Sequence, residues 1–143
     1  GMSSVVHQMH PRVVAGEAAR LFRSHRRDYP DGGQKRDFIW VGDCVDVLLW
    51  LHDNPKIDGL FNCGTGRARS FEDLALAVFA AAGRPSKIVY VDMPAEIRDR
   101  YQYFTEARMD RLRAAGYSKP FTPLEEGVAR YVRDFLGADD PYR

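Results

Sequence analysis

The stretch from Arg36 to Leu51, RDFIWVGDCVDVLLWL, constrains this chain more than any other. Phe38, Ile39, Trp40 and Val41 are aromatic or β-branched and stop at Gly42, which reads as a short strand running into a tight turn. Asp43 then has the chemistry of a helix N-cap, its carboxylate able to accept from the free amides of the first turn. Asp46 follows three residues later, where a second acid favours the positive end of the helix dipole. Beyond it, Val45, Leu48, Leu49 and His52 form one helical face, and Val47, Trp50 and Leu51 widen it. A helix this apolar is expected to be covered on more than one side.

The flanking chain is a mixture of helix and strand signals. Met2 to Val14 has helical spacing, interrupted by Pro11 and ended by Gly16, and Ala19 to Phe22 reads as a strand. The polar run RSHRRDYPDGGQK, within loop 23–35, carries Pro30, Gly32 and Gly33 and is expected to be a mobile loop. Asn54-Pro55 and Asp58-Gly59 mark turns before a strand over Leu60–Cys63. Ser70 and Asp73 form a capping box that opens a helix closed by Gly83. Ile88 to Val91 reads as a strand. Thr105 is placed to cap a helix reaching Ala115. Thr122 as N-cap, Pro123 at the first helical position and Glu125 in the capping-box position open the last helix, with Val128, Tyr131, Val132 and Phe135 as its buried stripe. Asp139 and Asp140 read as a solvated tail.

Composition narrows the class of partner. At 143 residues the chain is one domain's worth, 1–143, able to bury roughly 70% of its unfolded surface. The formal net charge of +1 gives no reason to expect nucleic acid or an anionic membrane as a partner. The longest apolar run, LALAVFAAA, is about half the ~18 residues a membrane-spanning helix needs. Cys44 and Cys63 fit neither a zinc site nor a CxxC motif and read as free thiols in a reducing cytosol. Gly1 before Met2 reads as a cloning scar.

Few residues invite a chemical role by type and position alone. Gly64-Thr65-Gly66-Arg67-Ala68-Arg69 lies between strand and helix signals, the context of a phosphate loop. The third glycine of the dinucleotide pattern is replaced by Arg69, and a structural turn is the better reading. Arg36, beside a loop rich in arginine, has the forked donors that grip a diphosphate, with a solvated surface charge as the bland alternative. Tyr101 could equally be a core ring with its hydroxyl at the surface. His7 and His10 stand three apart, without a third metal ligand at convincing spacing.

The segment from Arg36 to Asp46, with LFNCGTGRARSFEDLA at 60–75 and RYQYFTEARMDRLRAAGYSKPFTPLEEGVARYV at 100–132, resembles the C-terminal, substrate-binding part of the extended short-chain dehydrogenases/reductases that act on nucleotide sugars. Within that family the resemblance is to members that epimerise an ADP-linked heptose, whose product feeds the lipopolysaccharide inner core. It implies that Arg36 holds the substrate's phosphates and that Tyr101 contacts the nucleotide sugar. It places Phe22, Arg23, Ser24 and His25 at the nucleotide pocket. Only Phe22 matches the family's residue there, and the loop after it is several residues longer, so the base preference stays open. Gln8 falls at a polar, substrate-facing position, with His7 adjacent, and Asp37 is expected to hold Arg36 or a backbone amide in place.

The resemblance also implies NADP as cofactor, with a tyrosine-x-x-x-lysine pair moving a proton beside the hydride. No tyrosine here has lysine four residues on, and the dinucleotide fingerprint is missing. No catalytic residue and no bound cofactor are therefore expected on this chain. The expected fold is α/β (mixed α+β), a small mixed sheet with packed helices and the Rossmann half absent. The expected function is binding of a nucleotide sugar in a cytoplasmic epimerase, inactive as this portion alone. Another 4-epimerase or 4,6-dehydratase, or a non-catalytic nucleotide-sugar-binding or oligomerisation module, are the alternatives. Without the Rossmann half, an apolar patch around Val47, Trp50 and Leu51 and a bare strand edge are expected to drive homo-oligomer formation or domain-swapped self-association.

Overall fold

The computed structural model describes residues 4–138; Gly1, Met2 and the acidic pair Asp139–Asp140 fall outside them. Helix α1 spans Val5–Val14, later than the expected start, because the Ser4 hydroxyl caps it by accepting from the His7 amide at 3.1 Å. Pro11 sits inside this helix. Strand β1, Ala19–Phe22, forms as expected and turns Ala19 and Leu21 into the core. Loop 23–34 leads to the two-residue strand β2, Lys35–Arg36, and residues 37–40 run extended into α2, Val41–Asp53.

Strand β3 is Arg69–Ser70 and α3 is Phe71–Ala81. Strand β4 is Ile88–Val91; short helices α4, Ala95–Arg98, and α5, Asp110–Ala114, follow. Helix α6, Leu124–Tyr131, continues into a π-helical turn over Val132–Leu136. β1 pairs in parallel with β4, Ala19 opposite Ile88, and β2 pairs antiparallel with β3. The architecture is mixed α/β, with small sheets and packed helices.

Two apolar cores hold it. The larger gathers Val13 from α1, Leu21 from β1, Leu74, Val78 and Phe79 from α3, and Val128 from α6. The smaller packs Val47 of α2 against Leu112 and Tyr117, with Trp50 and Leu51 half-buried beside them.

Five expectations are corrected. Residues 38–40 form no strand, and α2 begins at Val41 with Trp40 at the cap position and no side-chain cap. Asp43 does not cap it; its carboxylate accepts instead from the Thr122 amide at 2.7 Å and the Thr122 hydroxyl at 2.8 Å. That engagement displaces the start of the last helix, so Pro123 rather than Thr122 is its cap residue. Leu60–Cys63 has no strand beside it among the described residues and stays irregular. Residues 105–109 are not helical, because their amides are drawn elsewhere: Thr105 donates to the Lys35 carbonyl at 3.2 Å and Ala107 to Asp37 at 3.0 Å.

The apolar patch also lies on the other face of α2. Val47 is buried, whereas Val41, Val45, Leu48 and Leu49 are exposed, the last two at 66% and 57%. These four share one side of the helix, at the spacing that superposes residues on consecutive turns.

Candidate functional site

Asp37 shows what the glycine-rich loop is for. Its carboxylate accepts from the Thr65 amide at 2.9 Å, the Thr65 hydroxyl, the Gly66 amide at 2.9 Å and the Ala107 amide at 3.0 Å. Burial alone would raise its pKa, but the bonds from Thr65, Ala107 and Gly66 outweigh this and hold it below the ordinary carboxylate range. The amides that a phosphate loop would offer are thus already occupied by a side chain of the same protein. Gly66, at φ +71°, makes the turn that aims them. Arg69, in the place of the third glycine, bridges Asp73 at 3.1 Å and Glu125 at 2.7 Å and ties α3 to α6. These residues do not fit a dinucleotide, and the loop is a structural turn. Asp37 also serves as expected, by holding backbone amides.

One residue further back, Arg36 meets a different environment. Its guanidinium lies 5.4 Å from the Tyr101 ring centre and 5.7 Å from that of Phe71. It donates to the Lys35 carbonyl at 2.7 Å, and no carboxylate pairs with it among the described residues. Its charge is therefore oriented by aromatic faces and left available to an anion. Phe22 packs edge-on to Tyr101 at 6.0 Å. Three residues far apart in sequence, Phe22, Arg36 and Tyr101, thus meet in one half-buried cluster. Burial pushes the Tyr101 hydroxyl above its usual pKa, with Arg36 opposing the rise.

The backbone explains why they meet. Gln34, almost fully buried, donates its side-chain amide to the Phe22 carbonyl at 3.3 Å. The Gly32 amide reaches the same carbonyl at 3.0 Å. A side chain at Gly32 would touch Leu21 and Tyr90 and would be strained at φ +68°. The Lys35 amide donates to the Tyr103 carbonyl at 2.8 Å, which sets Arg36 beside Tyr101.

The other candidates are placed less directly. Arg23 pairs with Asp92 at 3.3 Å on the surface. The Ser24 amide donates to Asp31 at 2.7 Å, and its hydroxyl to the Arg26 carbonyl at 2.8 Å. His25 is exposed and donates its amide to the Tyr103 hydroxyl at 2.8 Å. Gln8 and His7 are exposed on α1. His10 is depressed by burial and by neighbouring His7, and no group of three or more potential metal ligands occurs among the described residues.

Sequence reasoning missed Tyr103, Tyr29 and Arg26, which form a second layer. Tyr103 meets Tyr101 edge-on at 5.8 Å and Tyr29 at a tilt at 5.2 Å, and Arg26 lies over the Tyr29 and Tyr103 rings at 5.3 and 5.2 Å. The alternation of Tyr101 and Tyr103 within RYQYFT was the available signal. A separate groove of about 530 Å³ runs between α1, residues 37–41 and α6. Its walls are mostly apolar, Val5, Phe38, Ile39, Leu124 and Val128 among them, and the polar residues that line it, Ser4, Asp37, Thr122 and Tyr131, include no lysine or arginine to pair with an anion. The aromatic and arginine cluster is therefore the better candidate site.

Comparison with solved structures places this architecture. A UDP-glucose 4-epimerase of Thermus thermophilus, in complex with NAD, superposes with a TM-score of 0.72 over 94% of this chain and 40% of that one, at 26% identity. An ADP-L-glycero-D-manno-heptose-6-epimerase of Helicobacter pylori superposes at 0.69 over 93% of this chain and 38% of its own, at 23% identity. The architecture is similar to part of these epimerases, whose fold is that of the extended short-chain dehydrogenases/reductases.

The sequence is similar to ADP-L-glycero-D-manno-heptose-6-epimerase of Nitratidesulfovibrio vulgaris, 52% identical over 141 residues that make up 99% of this chain. The chain spans 44% of that relative's length. No protein-family model matches the sequence.

Proposed function

We propose that this chain is the nucleotide-sugar-binding portion of an ADP-heptose 6-epimerase, the substrate's diphosphate gripped by Arg36 and its nucleotide resting against Phe22 and Tyr101. The observation that carries this is the meeting of these three residues around a guanidinium that has no carboxylate partner among the described residues. A forked cation set between aromatic faces suits a diphosphate joined to planar or ring-shaped groups. Arg23, Ser24, His25 and Gln8 complete the proposed contact set at its margin. The similarity to heptose epimerases supports ADP over other nucleotides.

The redox step belongs to NADP, which removes and returns a hydride when bound. The glycine-loop amides that would face its pyrophosphate are filled by Asp37. Nor does the sequence contain a tyrosine-lysine proton-transfer pair. This portion alone is accordingly inactive, and its contribution is to bind and orient. The setting is cytoplasmic, in lipopolysaccharide heptose supply; no helix among the described residues is long and apolar enough to cross a membrane. The exposed face of α2 makes the chain a self-associating one.

Calorimetric titration with ADP, UDP and GDP, with NADP as control, tests the reading. ADP should bind, Arg36→Ala should reduce its affinity at least ten-fold, and NADP should give no heat. Preference for UDP or GDP would move the substrate to another epimerase or dehydratase, and unchanged ADP binding by Arg36→Ala would remove the arginine from the site.

A further inference from the structure

Loop 23–31 is where this chain departs from the family pattern, and the structure gives it an anchor of its own. The Tyr103 side chain is 6% exposed, yet its hydroxyl reaches the loop and accepts from the His25 amide at 2.8 Å, across 78 positions of sequence. Its ring lies between Tyr101 on one side and Tyr29, from the loop, on the other. Arg26 lies over Tyr29 and Tyr103 and is itself held by Asp28 through two bonds of 2.9 and 2.6 Å. Meanwhile the Tyr103 carbonyl accepts from Lys35, next to Arg36. One residue therefore fixes both sides of the proposed site: its backbone sets the phosphate-gripping arginine, and its side chain sets the loop.

We infer that Tyr103 is a positioning residue for the nucleotide, holding loop 23–31 against Tyr101 through its hydroxyl without itself touching the ligand. This rests on the nucleotide-binding reading above and deepens it. The physical argument is one of preorganisation. An ordered loop has already lost its conformational entropy before the ligand arrives, so a base or ribose meeting it gains affinity that a loose loop would forfeit. Inorganic pyrophosphate, gripped by Arg36 alone, should be indifferent to the loop.

Tyr103→Phe removes the hydroxyl and keeps the ring, and Tyr29→Leu removes the outer ring of the stack from the loop side. Both variants would be titrated with ADP and with inorganic pyrophosphate, and amide hydrogen exchange would be followed without ligand. The expected result is faster exchange at His25 and Arg26, ADP weakened about three- to ten-fold and pyrophosphate unchanged. Unchanged exchange at His25 in Tyr103→Phe would overturn the inference, as would unchanged ADP affinity. Equal weakening of both ligands would also overturn it, by showing general damage to the site. A wild-type chain that binds pyrophosphate but ADP no better removes the positioning role alone. One that binds neither removes the nucleotide reading and this inference together.

Discussion

Asp37 is the residue whose loss should be felt furthest, because two separated segments, at 65–66 and at 107, hang on its one carboxylate. Asp37→Asn would turn an amide nitrogen toward donors that need an acceptor. It should cost about 1–3 kcal/mol of stability, measured by urea unfolding at neutral pH. The sign of the pH dependence follows from the depressed pKa. The folded carboxyl ionises more readily than the unfolded one, so its contribution is complete above the unfolded pKa near ~4 and is lost as pH falls through the folded value. Wild-type stability should fall on acidification below about pH 4, and that of Asp37→Asn should fall less steeply. Arg36, its neighbour, should behave oppositely: Arg36→Ala should remove ADP binding and leave the unfolding midpoint almost unmoved, since its polar bond reaches only a main-chain oxygen.

Among the elements, α3 is the one written most completely into the sequence. The Ser70 hydroxyl accepts from the Asp73 amide at 2.9 Å, and Asp73 accepts back from the Ser70 amide at 3.0 Å. Ser70→Ala should therefore cost about 1 kcal/mol, visible in a thermal or urea melt. Strands β1 and β4 were legible for a similar local reason: short β-branched or apolar runs bounded by turn residues. The segments misread, 38–40, 60–63 and 105–109, share a cause. Each has local propensity for regular structure, and tertiary bonds from Asp37, Lys35 or Thr122, or the lack of a neighbouring strand, decide otherwise. Asp43 is the plainest case, an acid at the right place to cap a helix that is recruited by another helix's threshold. No periodicity in one segment reports a partner 79 positions away.

Taken whole, the molecule keeps a hydrocarbon face on α2 in contact with solvent. Val41, Val45, Leu48 and Leu49 line it, and the prediction is concentration-dependent self-association that covers them. Light scattering after size exclusion should give a mass above that of one chain at high concentration, and Leu48→Glu with Leu49→Glu should return it to the monomer value. A clean wild-type monomer would leave this face without that role. The side of the helix was not legible, because the whole stretch is apolar and only the packing of Val47 on Leu112 and Tyr117 chooses between its faces. The proposed site was legible where a residue matched the pattern of the resembled family, at Phe22, Arg36 and Tyr101, which the fold brings together. It was hidden where the chain departs from it, at Tyr29 and Tyr103.

The pairing of β1 with β4 has a further consequence, in time rather than in space. Arg23 and Asp92 lie 69 positions apart, and Tyr103 and His25 lie 78 apart. A ribosome adds about 5–20 residues per second, so the first strand and its loop wait several seconds for their partners. Tyr101 and Tyr103, which complete the cluster, are made more than seventy residues after the loop they meet. Until then Phe22 and Tyr29 have no rings to rest on, and the proposed contact cluster is incomplete.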